Sequence, residues 1–530
     1  MKKIYRYLFL GLTVLAFGSC TDLDTAPQGR YVTSTQKSDV AQADPSKAEA
    51  SVNAIFSREN TGMAYSEDHN DFGLPAIFIM ADTDGYDYVS ERIVYNWFWH
   101  ELSYHSHRFT DGDNNFQWNT LYAIIYNSNN IAALVDDPTT VEASDLQFYL
   151  GQAYAMRAYA YWWLAQRYQF TYKGHEDDPC VPIVTQENMG SVGVEGCPRA
   201  TVQKVYEQMK SDIDIAIDLL GKTEKVRDDQ RYINKQVALG IRARIELYAE
   251  HWEQAAADAK AAQEGFTPYS IADVSQPGMN TLVGNTSFMW ADVLAETDPV
   301  VTSGIVNWSS HTCSFAYGYT IYGGWRSINK KLFDQIPTTD VRKGWWTDAD
   351  GNSPNISATQ KSFLVSREAP AYVNVKFGPY QDQITNSLNA QPIPMMRVEE
   401  MVLMEAEATA MAGNPSQGAQ ILENFVKTYR NPSYTCTATT AQAVQEEVYF
   451  QRRIELWGEG LSWFDIKRLK KAMDRRGGGY VSTTVIFNIA ANDPVLLYQI
   501  PESEITNNVQ ISADQNNPDI TLPTAVPDED

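Results

Sequence analysis

Between Ser144 and Gln169 apolar residues recur at Leu146, Tyr149, Leu150, Ala153, Tyr154, Ala158, Tyr161, Leu164, Ala165 and Tyr168. Spacings of three and four place them in one stripe on one face of a long helix; a strand would alternate with period two. The pattern continues. Thr201 stands where a cap belongs, ahead of Val202, Val205, Tyr206, Met209, Ile213, Ala216, Ile217 and Leu220. A helical pair is expected from Gln236 to Glu250 and from Trp252 to Glu264. In the second of these, Trp252, Ala255, Ala259 and Ala262 reproduce half of a tetratricopeptide repeat. The other half holds Arg242, Ala243 and Glu246 where that repeat has its own signature, so the unit is a degenerate helical hairpin. Helices are expected from Arg397 to Met411, from Gln417 to Tyr429 after the Gly413-Asn414-Pro415 break, from Ala441 to Trp457 and from Ser462 to Ala472. Between about Gly265 and Pro394, Gly, Pro, Asn, Ser and Thr punctuate short aromatic-bearing stretches. The expected fold is mainly α: a helical frame that includes this degenerate hairpin and carries an irregular, loop-rich region, with a division near residue 270.

The chain begins with an address. Lys2, Lys3 and Arg6 precede the apolar run from Tyr7 to Phe17, which is too short to span a bilayer. Gly18-Ser19-Cys20 follows and resembles a bacterial lipoprotein box, in which the cysteine is acylated and becomes the mature N-terminus. Residues 1–19 therefore read as a signal peptide, and residues 20–50, rich in Ala, Ser, Thr, Gln and Asp, as a lipidated flexible tether. Residues 51–270 and 271–530 are the N-terminal helical and C-terminal regions. Cys180, Cys197, Cys313 and Cys436 allow either a short Cys180–Cys197 loop or four buried thiols. The net charge of −24 argues against a nucleic-acid partner, whose phosphates require a cationic surface.

Further motifs fall in a fixed order: Val181-Pro182-Ile183-Val184-Thr185, Pro198-Arg199-Ala200-Thr201-Val202, Asp340-Val341-Arg342, Lys376-Phe377, Met404-Glu405-Ala406-Glu407-Ala408, Arg452-Arg453-Ile454-Glu455-Leu456 with Glu459-Gly460, Trp463-Phe464-Asp465-Ile466-Lys467-Arg468, and Gln499-Ile500-Pro501-Glu502-Ser503-Glu504-Ile505. In this order, from Cys20 to about Pro518, the chain resembles the SusD/RagB family of Bacteroidetes outer-membrane lipoproteins. Gln451, Ser462 and Asn508-Val509 depart from the family pattern. The resemblance implies a SusD-like fold, a tetratricopeptide-like helical-hairpin scaffold with an irregular, loop-rich ligand-binding region, and a lipid-anchored, surface-exposed place at the outer membrane. It also implies no cofactor, and a role in passing oligosaccharides, or in some members peptides, to a SusC-like TonB-dependent transporter. Within the matched motifs, Arg452 with Glu455 and Asp465 with Arg468 are three apart, so each pair can meet on a helix face and pin the last helices together.

A sugar-holding surface needs flat rings for pyranose C–H faces and polar groups at its rim. Two windows offer rings. From Tyr86 to Tyr126 there are twelve aromatics, including Tyr95-Asn96-Trp97-Phe98-Trp99; if extended, Tyr95, Trp97 and Trp99 share one face. In the same window Trp118, Tyr122 and Ile125 have helical spacing and read as core. The second window holds Trp308, Phe315, Tyr317, Tyr319, Tyr322 and Trp325 among glycines, where burial of six rings is not expected. The candidate glycan contacts are Trp97, Trp99, Tyr317, Tyr319, Tyr322 and Trp325.

No catalytic residue or metal site is expected. His100-Glu101-Leu102-Ser103-Tyr104-His105 misses the zinc-protease spacing by one residue. Asp82-Thr83-Asp84-Gly85 and Asp348-Ala349-Asp350-Gly351 lack the glutamate that closes a calcium loop. Nucleophile-elbow, Walker and dinucleotide motifs are absent from the sequence. A glycan-cleaving enzyme, which would need two carboxylates at set separation, and a peptide-capturing subunit remain the competing readings.

Overall fold

The computed structural model describes residues 34–57, 60–66, 68–90 and 96–529. Cys20, the leader and Tyr95 lie outside them. The long helix runs from Ser144 to Tyr168, and from Leu146 onward every residue is buried. The single stripe is thereby corrected. This helix is enclosed, with Gly112–Ala132 and Val202–Lys222 packed against it. Its charged residues and Gln152 tolerate burial because they find partners. Arg157 donates to both carboxylate oxygens of Asp212 at 2.8 and 2.6 Å. Arg167 donates to Asp84 at 2.6 Å and to Gln117 at 2.7 Å. Gln152 donates to the Ile233 carbonyl at 2.7 Å.

The next hairpin, Lys235–Tyr248 and Trp252–Ala262, carries the half repeat. Ala255, Ala259 and Ala262 are buried, and these small side chains let a neighbouring helix approach. That neighbour is Val398–Met411, far along the chain; Pro415–Tyr429 and Ala441–Glu455 pack on it in turn. Side-chain caps from Thr201, Asn234 and Thr440 start three of these helices as their residue types dictate. The chain thus leaves the stack after Ala262, makes its irregular excursion, and re-enters at Val398. Strand Phe288–Asp292 pairs antiparallel with Ile393–Arg397 at the two ends of that excursion. Tyr88–Ser90 pairs with Arg326–Ile328, fastening the excursion to the N-terminal part. Short pairs Pro179–Pro182 with Arg199–Thr201, and Met473–Asp474 with Asn488–Ile489, complete the strands named among the described residues.

Two further expectations change. The tether is shorter than residues 20–50, because Ser34–Ala43 and Glu49–Phe56 are helical, with a 3-10 turn at Pro45–Ala48 between them. Ala41, Ala48, Val52, Ile55 and Phe56 are buried, and the Ser38 hydroxyl donates to the Leu134 carbonyl at 2.7 Å. A polar composition hid that apolar spacing. Neither cysteine alternative holds as stated: Cys180, Cys197, Cys313 and Cys436 are all free thiols, but only Cys180 and Cys313 are buried, while Cys197 and Cys436 are half-buried; burial pushes Cys180 up to about 12.

The family motifs near the C-terminus form a buried ionic core. Glu455 accepts from Arg430 at 2.7 and 2.8 Å, from Arg397 at 3.1 Å and from Arg342 at 3.3 Å. Glu459 accepts from Arg397 and Lys376, both at 2.7 Å. Arg452 does not pair with Glu455; it pairs with Asp465 at 2.7 Å, because three distant arginines already surround Glu455. Asp465 and Arg468 do meet, at 2.8 Å. The departures from the family pattern sit in this frame. Gln451 keeps an acceptor oxygen for Arg342, Ser462 donates to Asp82 at 2.9 Å, and Asn508 bonds the Cys197 amide at 3.0 Å.

Candidate functional site

Asn96 to Trp99 is not extended. Residues 97 and 98 form a turn, and a short helix, Trp99–Leu102, begins directly after. Phe98 points into the core, while Trp97 and Trp99 are half-buried. The glycine-rich window behaves differently from the expectation. Trp308 and Phe315 are buried; Tyr319 is only 7% exposed and Trp325 only 3%. The physical reason is close backbone approach. At Gly318, whose φ is +147, a Cβ would lie 2.4 Å from the Ser310 Cβ, so only glycine lets this strand of chain press against Ser310. The Ser310 hydroxyl then accepts from the Tyr319 amide at 3.0 Å. Glycines here permit burial of rings rather than prevent it. Tyr317 stays half-buried and Tyr322 is 49% exposed.

The fold brings the two windows together at Tyr319. Its ring lies 6.1 Å from that of Trp97, edge to face. His69 joins both, stacking on Trp97 at 4.9 Å and 22°, and its Nδ1 is hydrogen-bonded to the Tyr319 hydroxyl. Below, His311 stacks on Tyr319 at 4.7 Å and on Phe72 at 5.4 Å, and meets Phe98 edge-on at 5.2 Å. Burial lowers both imidazoles from their ordinary value, His311 well below it with Arg326 adding to the effect. The ladder is therefore uncharged near neutral pH. Beside it, Tyr317 and Tyr322 meet edge-on at 6.3 Å, and the Arg367 guanidinium lies 5.4 Å from the Tyr322 ring centre. Asn389 donates to the Tyr317 carbonyl at 2.8 Å and to Gly304 at 3.1 Å, holding the loop that presents Tyr317.

Of the six candidates, Trp97 and Tyr319 are joined in one cluster, and Tyr317 and Tyr322 stand on the continuation of the same loop. Trp99 opens its own short helix, and Trp325 is part of the core. His69, His311, Phe72 and Arg367 were not singled out from the sequence. A lone histidine far from its partner carries no local signal, and the His69–His311 contact (Nε2 to carbonyl, 3.0 Å) spans the chain. Two surface grooves, of about 430 and 470 Å³, have none of the candidate rings in their walls. Trp118 and Ile125 are core, as their spacing indicated, with Tyr122 packed partly against them.

The other motifs resolve plainly. His105 bonds Ser103 at 2.8 Å, and its ring centre lies 6.0 Å from that of His100. Asp84 is locked in the core by Arg167, by His107 at 3.2 Å and by Tyr498 at 2.9 Å. Asp82 accepts from the Gly460 amide at 2.8 Å, and burial raises it to about 7. Asp348 closes its own turn, accepting from the amides of Asp350 and Asn352 at 2.9 and 2.8 Å.

Comparison with known proteins places these observations. Residues 39–247 match the family model described as starch-binding and associating with the outer membrane, and residues 339–519 match the SusD family model. The SusD-like protein P38 of Formosa agariphila is 22% identical over 400 residues, covering 68% of this chain and 73% of that protein. A SusD-like carbohydrate binding protein from Bacteroides vulgatus superposes with a TM-score of 0.72 at 23% identity, covering 90% of this chain and 98% of the other. A SusD superfamily protein from Bacteroides thetaiotaomicron gives 0.67 at 19% identity, covering 89% and 99%.

Proposed function

Since this chain belongs to the SusD/RagB family, we propose that it is a non-catalytic surface protein that captures oligosaccharides for import through a partner SusC-like TonB-dependent transporter. The observation that carries the reading is the meeting of the two aromatic windows around His69: a neutral, flat-ringed cluster with Trp97 half open, and Tyr317 and Tyr322 beside it. Uncharged rings suit pyranose C–H faces, and Arg367 supplies a hydroxyl-seeking rim. The carbohydrate-binding relative from Bacteroides vulgatus supports the same substrate class. Acylation at Cys20 would hold the protein on the outer membrane; no described helix is long and apolar enough to cross one.

Affinity electrophoresis against a panel of polysaccharides tests the reading. Retardation on at least one of them, reduced at least tenfold in affinity by Trp97→Ala or Tyr322→Ala, is expected. No retardation on any polysaccharide, with binding of peptides that weakens as salt rises, would transfer the role to peptide capture, for which the charge of −24 would select basic peptides. New reducing ends on incubation with oligosaccharide would reveal an enzyme. Absence of radiolabelled palmitate in the wild type would remove the anchor.

A further inference from the structure

Next to Trp99, at the start of the long Gly112–Ala132 helix, three donors converge. The His100 Nδ1 stands 3.0 Å from Asp111 Oδ2 and 3.5 Å from Asp113 Oδ2. One donor atom from each residue lies within 4.8 Å of the other two. Both carboxylates are fixed. Asp111 caps the helix, accepting from the Asp113 amide at 3.0 Å, and the other Asp113 oxygen accepts from Asn70 at 2.8 Å. Asn70 also donates to the Trp97 carbonyl at 3.1 Å, which ties the cluster to the ring site.

Hydrogen bonding leaves this place incomplete. Glu101, the neighbour of His100, is 0% exposed, and neither of its carboxylate oxygens has a hydrogen-bond partner. Burial first, and then the charges of Asp113, Asp84 and Asp111, raise its carboxyl well above the ordinary range. The buried Asn70 Oδ1 likewise lacks a donor. Asp84 already has Arg167 and His107. Within the cluster one half-exposed imidazole faces the two carboxylates of Asp111 and Asp113.

We propose that His100, Asp111 and Asp113 form a binding site for a divalent cation of the zinc–manganese class. Donors about 2.1 Å from zinc stand about 3.4 Å apart in a tetrahedron, which the two measured separations bracket. The imidazole nitrogen favours this class over calcium, which prefers an all-oxygen shell. The solvent-facing side of His100 leaves a further coordination position open to water.

The test uses the full chain, stripped with chelator, dialysed and titrated by calorimetry with ZnCl2, MnCl2 and CaCl2 in turn. One equivalent of Zn2+ or Mn2+ per chain is expected, with at least tenfold weaker binding in His100→Ala and in Asp113→Asn. His175→Ala, at a separate surface pair with Asp178, should bind as the wild type does. The half-exposed position of His100 keeps the test valid if Asp113→Asn fails to fold. Failure of all three cations to bind, or binding unchanged in His100→Ala, would leave an ordinary histidine–aspartate ion pair and overturn the proposal. Preference for Ca2+ over both other metals would overturn the imidazole-led assignment.

Discussion

Glu455 shows how much one residue can depend on distant ones. Arg342, Arg397 and Arg430 converge on it from three separate elements, and together they hold its carboxyl far below the usual range against the opposing pull of burial. A carboxylate depressed in the folded state contributes stability above its unfolded pKa and loses that contribution as pH falls through the folded value. Stability is therefore expected to decline below about pH 4.5, and the decline should be shallower in Glu455→Gln. At pH 7 that variant, which leaves three guanidinium groups short of a charge, should lose about 3–5 kcal/mol in denaturant unfolding. A flat profile in the wild type would contradict the assignment. Trp97 and Tyr319 allow a comparison at the ring cluster. Tyr319→Phe removes the bond to His69 but keeps the ring, so glycan affinity should change less than about threefold, whereas Trp97→Ala should cost about tenfold or more, roughly 1.4 kcal/mol. Equal losses in titration calorimetry would mean that the hydroxyl, not the stack, matters. None of the long-range partners in these cases was legible in the sequence. The motif residues were, but spacing alone paired Arg452 with Glu455, and the fold gave Glu455 to three others.

At the scale of elements, periodicity and capping located most of the long helices to within a few residues, because each depends on neighbours along the chain; of Gly112–Ala132 only the spacing of Trp118, Tyr122 and Ile125 was read. Val398–Met411 and Pro415–Tyr429 follow from apolar spacing and the Gly413-Asn414-Pro415 break. How closely they pack depends on Gly418, where a Cβ would lie 2.5 Å from the Ala406 carbonyl oxygen and 2.7 Å from the Ala410 Cβ. Gly418→Ala improves helix propensity by up to about 1 kcal/mol but forces two backbones apart at about 1–3 kcal/mol. A net loss of about 1–2 kcal/mol is expected in urea unfolding, and a gain would show the hairpin to be looser than described. The Leu74–Asp84 helix, by contrast, has no polar face and so no period to detect; all its residues are buried. Ser144–Tyr168 misled in a milder way: its spacing read as one apolar stripe, whereas Arg157, Arg167 and Gln152 off that stripe are buried against partners.

For the molecule as a whole, the division near residue 270 does not separate two bodies. Trp252–Ala262 is covered by Val398–Met411, and Tyr88–Ser90 takes its strand partner from Arg326–Ile328. A fragment of residues 34–270 is accordingly expected to show no cooperative thermal transition by circular dichroism, while the full chain melts in one; a sharp transition in the fragment would restore an independent N-terminal domain. The mainly α class, the positions of most long helices and the family came from the sequence by itself, because helix formation is governed by short-range spacing and the motifs are contiguous. Only tertiary structure decided that Trp325 and most of the glycine-flanked rings are core, that Trp97 meets Tyr319 across His69, and that Asp111 and Asp113 face His100 rather than His105 doing so. Those outcomes depend on which distant surfaces exclude water from one another, and chain spacing does not encode that.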